Sequence, residues 1–289
     1  MDIQVFYSIL DKYCETIKHN QILYDISKYT LYSGKGIRPL IAIDIFNSIT
    51  KNANMNRKCL IDNGSVTKLN NLTLGVELLH NASLIIDDLP SMDNDSLRRG
   101  KPTVHMKYSP EIAKIVANKY ISDAFKLFNN SCDLVTIFSD QSKNACLGQY
   151  YDMTFNSMDL INKSIEEKAD IVNLKTAPFF IIAFVSGYYS TVDAIDTDTL
   201  EQYILLGHYF GRMFQMADDF TDLKADIKNG KYLNNVNVLG IDAARTLFFS
   251  TQEQFIHLIC KLGIDSVFIR KLICTLNKNA SVSSEIKNE

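Results

Sequence analysis

The chain has 289 residues, 46% of them hydrophobic, with 30 basic against 33 acidic side chains and a net charge of -3 at pH 7. That is enough apolar material for a substantial buried core, and too even a charge balance for general binding to nucleic acid or to a membrane surface. Its six cysteines form no CxxC pair and no histidine stands at ligand spacing, so they read as the reduced thiols of a cytoplasmic protein.

In chain order, the first segment, MDIQVFYSILDKYCETIKHN, carries acids early and has the pattern of an amphipathic helix rather than a signal peptide. SGKGIRP then places Lys35 and Arg38 at a helix start, with Pro39 in its first turn. Apolar residues recur every three or four positions from about Val66 to Leu89, from Pro110 to Phe128, from Ile165 to Tyr188 and from Asp196 to about Lys228. No alternating strand pattern competes over comparable lengths. Five prolines and 12 glycines are too few turn signals for a β-sandwich or barrel of this size. The longest apolar run, Ala177 to Tyr189, contains Pro178 and Gly187 and is too short to span a bilayer. The expectation is an all-α bundle of long helices around a deep central cavity. It forms a single domain over residues 1–278, followed by a frayed polar tail at 279–289.

Two aspartate clusters interrupt these apolar helices. In LIIDDLPSMDND, Pro90 ends the helix at Leu89, so Asp87 and Asp88 sit in its last turn and Asp93 returns on the loop. Carboxylates there oppose the negative end of the helix dipole and call for a cation. In FQMADDFTD, Asp218 and Asp222 share a face at i and i+4, Asp219 is adjacent, and Gln215 lies one turn earlier. One such cluster is commonly a solvated acidic face. Two, both emerging from apolar helices, point to an oxygen-seeking divalent cation such as Mg²⁺.

Basic residues complete the pattern. Arg98 and Arg99 follow the first cluster in LRRG, and Lys175 and Thr176 fall in the third long helix in LKTAPF. Taken singly, each is an ordinary surface charge. Together with Lys35 and Arg38 they describe two anion sites, one reached through metal and one directly through cations.

These segments resemble those of the trans-isoprenyl diphosphate synthases, or polyprenyl synthetases. ELLHNASLIIDDLPSMDNDSLRRGKPTVH is similar to the first aspartate-rich motif of that family, FQMADDFTD to the second, GKGIRP to its GKxxRP segment, LGQYYD to GQxxD and LKTA to its KT segment. The order agrees over roughly residues 30 to 250, and NVNVLGIDAAR resembles the segment after the second motif. The resemblance implies an isoprenoid-synthase-type bundle, usually a homodimer, that joins isopentenyl diphosphate head-to-tail to an allylic diphosphate (dimethylallyl, geranyl or farnesyl). It implies Mg²⁺ held by Asp87, Asp88, Asp93, Asp218, Asp219 and Asp222, with Asp87, Asp88, Asp218 and Lys175 carrying catalysis. Arg98, Lys175, Thr176, Gln215 and Lys231 match allylic-diphosphate positions. Lys35, Arg38, His80 and Arg99 match isopentenyl-diphosphate positions. Gln149 and Asp152 match a motif pair near the metal cluster. Small residues Ala82 and Ser83, one turn below Asp87, leave room for a growing chain, with Leu79 and Val76 as candidates for the floor, and so for geranylgeranyl diphosphate as product.

The chain also departs from the family pattern. Ile86 stands where a polar residue usually precedes the first aspartate, and Ala117 to Ser122 replaces AGDALL. The loop after Asp222 is short and lacks one lysine, for which Lys224 is the expected substitute. Alternatives therefore stay open: a farnesyl diphosphate synthase, a class I terpene cyclase, or a non-catalytic subunit that modulates a synthase.

Overall fold

The computed structural model describes residues 3–55, 62–129, 132–154, 160, 162–228 and 233–282, and within them the chain forms thirteen helices and one small hairpin. The first half runs α1 (Ile3–Ile17), α2 (Gln21–Leu31), α3 (Ile37–Met55), α4 (Asn63–Asp87), β1 (Leu97–Arg98), β2 (Lys101–Pro102), α5 (Val104–Lys107), α6 (Pro110–Phe128) and α7 (Cys132–Thr154). The second runs α8 (Ile165–Asn173), α9 (Ala177–Tyr189), α10 (Thr197–Lys228), α11 (Asn235–Leu239), α12 (Ile241–Lys261) and α13 (Val267–Val282). The fold is all-α, as the periodicity implied.

Local chemistry sets the helix ends. Ser109 accepts from the Ile112 N–H, and Pro110 supplies a preset φ at the first position, so α6 begins where the sequence indicates. Asp62 caps α4 in the same way through Ser65. The helix stops at Asp87 rather than Leu89, because Asp88 already serves as its C-cap.

All thirteen residues of α9 are buried. It forms the axis of the bundle, packed by α10, α3, α7 and α4. Missing side chains permit this closeness. A Cβ on Gly207 or Gly211 of α10 would lie 2.3 Å from the Ile181 Cα or 2.5 Å from the Ala177 Cα, so the two backbones meet along one helix turn.

Three sequence expectations change. The helix expected over Ile165 to Tyr188 is two helices, α8 and α9, bent by 75°, with Lys175 and Thr176 at the corner rather than inside a helix. Pro178 in the first turn of α9 starts that helix afresh and explains the break. Leu97 to Pro102 forms a two-residue hairpin whose turn residues Arg99 and Gly100 have φ of 54° and 75°, the geometry of a primed turn. Finally, α13 runs on to Val282 with Ala280 buried, past the expected start of the frayed tail.

The segment in place of AGDALL packs inward. Tyr120 is fully buried and donates to the Ser27 Oγ at 3.0 Å, tying α6 to α2. Among the described residues no single helix is long and apolar enough to cross a membrane.

Candidate functional site

Two loci emerge on one side of α9. The first gathers around Lys175 at the α8–α9 corner. Its Nζ lies 3.0 Å from the Asp152 carboxylate, 3.7 Å from Asp87 and 3.9 Å from Asp93. Burial disfavours the charge on Lys175, but these three aspartates outweigh it and hold its pKa above the ordinary lysine value. Asp87 is pushed up to about 6, chiefly by burial, against the pull of Lys175. Burial also raises Asp88, whose carboxylate is gripped by Arg98 through Nε at 2.9 Å and through Nη2.

The same corner borders a cavity of about 220 Å³, into which α10 brings Asp218, Asp219, Asp222 and Asp226. Asp218 is raised to about 6 by burial and by the neighbouring Asp222. Asp226, two turns beyond Asp218, was not singled out in the sequence, although its helical spacing continues the same face. Gly148 of α7 makes the approach possible. A Cβ there would stand 2.3 Å from the Lys175 backbone nitrogen. Gln149 beside it has both ends of its buried amide without a hydrogen-bond partner among the described residues.

The second locus lies where α3 begins. Arg38 Nη1 is 3.1 Å from His80 Nε2, and its guanidinium lies 4.4 Å from the centre of the Phe180 ring. Arginine only donates, so His80 Nε2 accepts and the proton sits on Nδ1. Burial and the Arg38 charge keep this histidine neutral, well below its usual pKa. The Nδ1 has no partner among the described residues, and neither has Arg38 Nε. Arg99, at the hairpin turn, reaches the Ser33 Oγ at 3.2 Å. Lys35 is exposed, and its charge lowers the pKa of Asp218 slightly. Consecutive arginines thus serve different loci, because a two-residue turn points Arg98 and Arg99 apart.

Glu77 supplies a buried acid that sequence reasoning missed. It is 2% exposed, accepts from Asn81 Nδ2 at 2.9 Å and is pushed up to about 7 by burial, against the charges of Arg38 and Arg99. Its place three residues before His80 on one helix face was the available signal.

Two expected site residues come out differently. Lys224 is exposed and is not among the cavity-lining side chains. Because α10 continues to Lys228 instead of ending near Asp222, a residue two positions on from Asp222 is carried about 200° around the helix. Asp219 lines the same cavity, but its carboxylate is taken up by hydrogen-bond donors on its own helix and on α11. Lys231 lies outside the described residues. Further down α4, Leu79 and Ala82 are closed off at 4% and 1% exposure, while Ser83 is half-buried.

Among the described residues no three His, Cys, Asp or Glu side chains converge as a ready-made metal cluster. The donor chemistry nonetheless fits a hard cation. Every candidate ligand is a carboxylate, and Asp87, Asp93 and Asp152 already converge on one cation, the Lys175 ammonium, at 3.0 to 3.9 Å.

Comparison with known proteins bears on this geometry. The polyprenyl synthetase family pattern matches residues 20–235. A farnesyl diphosphate synthase of Micrococcus luteus is 30% identical over 263 residues, covering 83% of this chain and 82% of that protein. A geranylgeranyl diphosphate synthase of Pseudescherichia vulneris is 32% identical over 230 residues, covering 73% and 69%. Among solved structures, a geranyltranstransferase from Thermotoga maritima superposes with a TM-score of 0.71 at 23% identity, over 98% of this chain and 97% of that one.

Proposed function

The chain belongs to the polyprenyl synthetase family, and from that premise we propose that it condenses isopentenyl diphosphate head-to-tail with an allylic diphosphate and releases diphosphate. The observation that carries this reading is the pairing of two loci. One is a carboxylate-rich cavity with Lys175 at its corner, and the other a half-buried Arg38–His80 pair with unspent donors.

Asp87, Asp93, Asp218 and Asp222 are the residues that would hold Mg²⁺, with Asp88 sharing its charge with Arg98. Bound there, Mg²⁺ would supply the charge neutralisation that lets the allylic C–O bond break. Lys175, Arg98, Thr176 and Gln215 add donors to the same diphosphate. Arg38, Arg99, Lys35 and the Nδ1–H of His80 hold the second diphosphate and present its double bond to the allylic carbon. The released diphosphate is itself a base for the departing proton, so no catalytic serine or cysteine is needed. Phe179 and Phe180, whose rings lie against the Arg38 guanidinium, add apolar surface beside that second diphosphate.

The product we favour is geranylgeranyl diphosphate, on the ground that Ala82 and Ser83 present no bulky group one turn below Asp87. Exposed apolar side chains on α6 and α7 (Ile115, Leu147, Tyr150 and Met153) support a homodimer through those helices.

Purified chain, supplied with Mg²⁺, isopentenyl diphosphate and each allylic substrate in turn, should yield a twenty-carbon alcohol after dephosphorylation and chromatography. Chain growth with none of them would favour the modulating-subunit alternative, which the short α10–α11 connection supports. Diphosphate release without isopentenyl diphosphate would favour a cyclase.

A further inference from the structure

Asp218 and Asp219 are neighbours in sequence but about 100° apart around α10, and their surroundings differ accordingly. Asp219 borders the cavity, yet it is 4% exposed and its carboxylate already accepts three hydrogen bonds. Gln215 Nε2 donates to Oδ1 at 2.8 Å, while the backbone N–H and the side-chain Nδ2 of Asn235 both donate to Oδ2 at 2.7 Å. That uses three of its roughly four acceptor positions. The neighbouring Asn234 reinforces the seam. Its Nδ2 reaches the Asp219 carbonyl at 3.2 Å and Asp226 at 2.8 Å, and its Oδ1 caps α11 through Val236 at 2.9 Å. Both asparagines are fully buried.

The consequence runs towards the α8–α9 corner. In its ionised form Asp219 only accepts, so Gln215 presents its nitrogen to it and its oxygen to the other side. There that oxygen accepts from the Thr176 hydroxyl at 2.5 Å. One carboxylate therefore dictates which way the Gln215 amide points, and with it the orientation of Thr176 next to Lys175.

We propose that Asp219 is not a cation ligand in this chain but the hub of a buried lock, closed by Asn235, that positions Gln215 and Thr176 for the allylic diphosphate. The proposal rests on the prenyl-transfer reading for its substrate, and it assigns Asn235 a positioning role. The bond from Asn235 to Asp219, sixteen residues apart, fastens the start of α11 to the aspartate-bearing stretch of α10.

Asp219→Asn and Asp218→Asn separate the two roles. With Asp219→Asn, the Gln215 amide can turn over, so that its oxygen accepts from the introduced amide and its nitrogen donates to Thr176. All contacts of the lock survive while the charge is lost. Manganese binding in the presence of inorganic diphosphate, followed by electron paramagnetic resonance, should change by less than about threefold for Asp219→Asn and weaken at least about tenfold for Asp218→Asn. The metal-free Asp219→Asn chain should melt near the wild-type temperature. Asn235→Ala should lower that temperature and raise KM for the allylic diphosphate by about tenfold, since the Nδ2 hydrogen bond to a charged group is lost, while KM for isopentenyl diphosphate stays put. If Asn235→Ala does not fold, Asn235→Ser, whose hydroxyl stands one bond short of the lost Nδ2, gives the same KM comparison. Equal loss of manganese in both aspartate variants would make Asp219 a ligand and overturn the proposal. A lowered melting temperature with both KM values unchanged would make the lock purely structural, and would overturn the positioning role. If the wild type condenses no substrate, the prenyl-transfer reading and the positioning role both fall, while manganese binding and melting still decide whether Asp219 is a ligand.

Discussion

Lys175 is the residue on which the site turns, since one ammonium faces Asp87, Asp93 and Asp152 at 3.0 to 3.9 Å. Removing any single carboxylate relieves repulsion and leaves the fold standing, so Asp87→Ala and Asp218→Ala should lower turnover by roughly two to three orders of magnitude with circular dichroism unchanged. Steady-state assays across a Mg²⁺ titration test this, and near-normal turnover in either variant would remove the metal reading. Glu77 has a different signature. Burial raises it to about 7 in the folded chain, whereas an unfolded glutamate titrates near about 4.3. The folded state thus holds the proton more tightly. The resulting stability is fully present below the unfolded pKa and is lost as pH climbs through about 7. Over that window the loss reaches about 4 kcal/mol at most, the opposing pull of Arg38 and Asn81 being already part of the value near 7. Urea unfolding at pH 5 and pH 8 should show Glu77→Gln gaining on the wild type at the higher pH. A constant difference between the two variants would mean that Glu77 is already ionised in the folded chain over this range, as it is in the unfolded one.

At the scale of elements, close backbone approach decides the architecture. The α8–α9 corner can carry Lys175 to the carboxylates only because α7 offers Gly148 beneath it. Gly148→Ala should shift the corner and raise KM for the allylic substrate more than that for isopentenyl diphosphate, as read from initial rates. Gly207 holds α10 against α9 with no functional group nearby. Gly207→Ala should therefore cost about 1–3 kcal/mol by overpacking, seen as a lower urea midpoint with both KM values unaltered. The long α10 shows how one added helical turn redirects side chains. Continuing to Lys228, it swings Lys224 off the face that Asp218, Asp222 and Asp226 share.

For the whole molecule, the proposed product length is a question of how far the bundle stays open beneath Asp87. Each helix turn advances about 5 Å, close to one isoprene unit. Ala82→Tyr, or Ser83→Tyr at the half-buried neighbour, should shift the product towards farnesyl diphosphate in chromatography of the dephosphorylated alcohols. An unchanged profile in folded, active variants of both would place the ruler on another helix. The all-α class, most long-helix positions, both aspartate clusters and the basic segments near them were legible in the sequence. Each depends on local periodicity, on a cap or on short-range spacing. Ser109 with Pro110, and the i, i+4 spacing of Asp218 and Asp222, are readable within a single turn of chain. The corner at Lys175, the opposed aims of Arg98 and Arg99, the burial of Glu77 and the capture of Asp219 by Asn235 were not. Those features depend on which distant backbone lies alongside: Gly148 against Lys175, Ser33 beneath Arg99, α11 folded back on α10. A carboxylate's role follows from the donors and the dielectric around it, and those are assembled only when the helices pack.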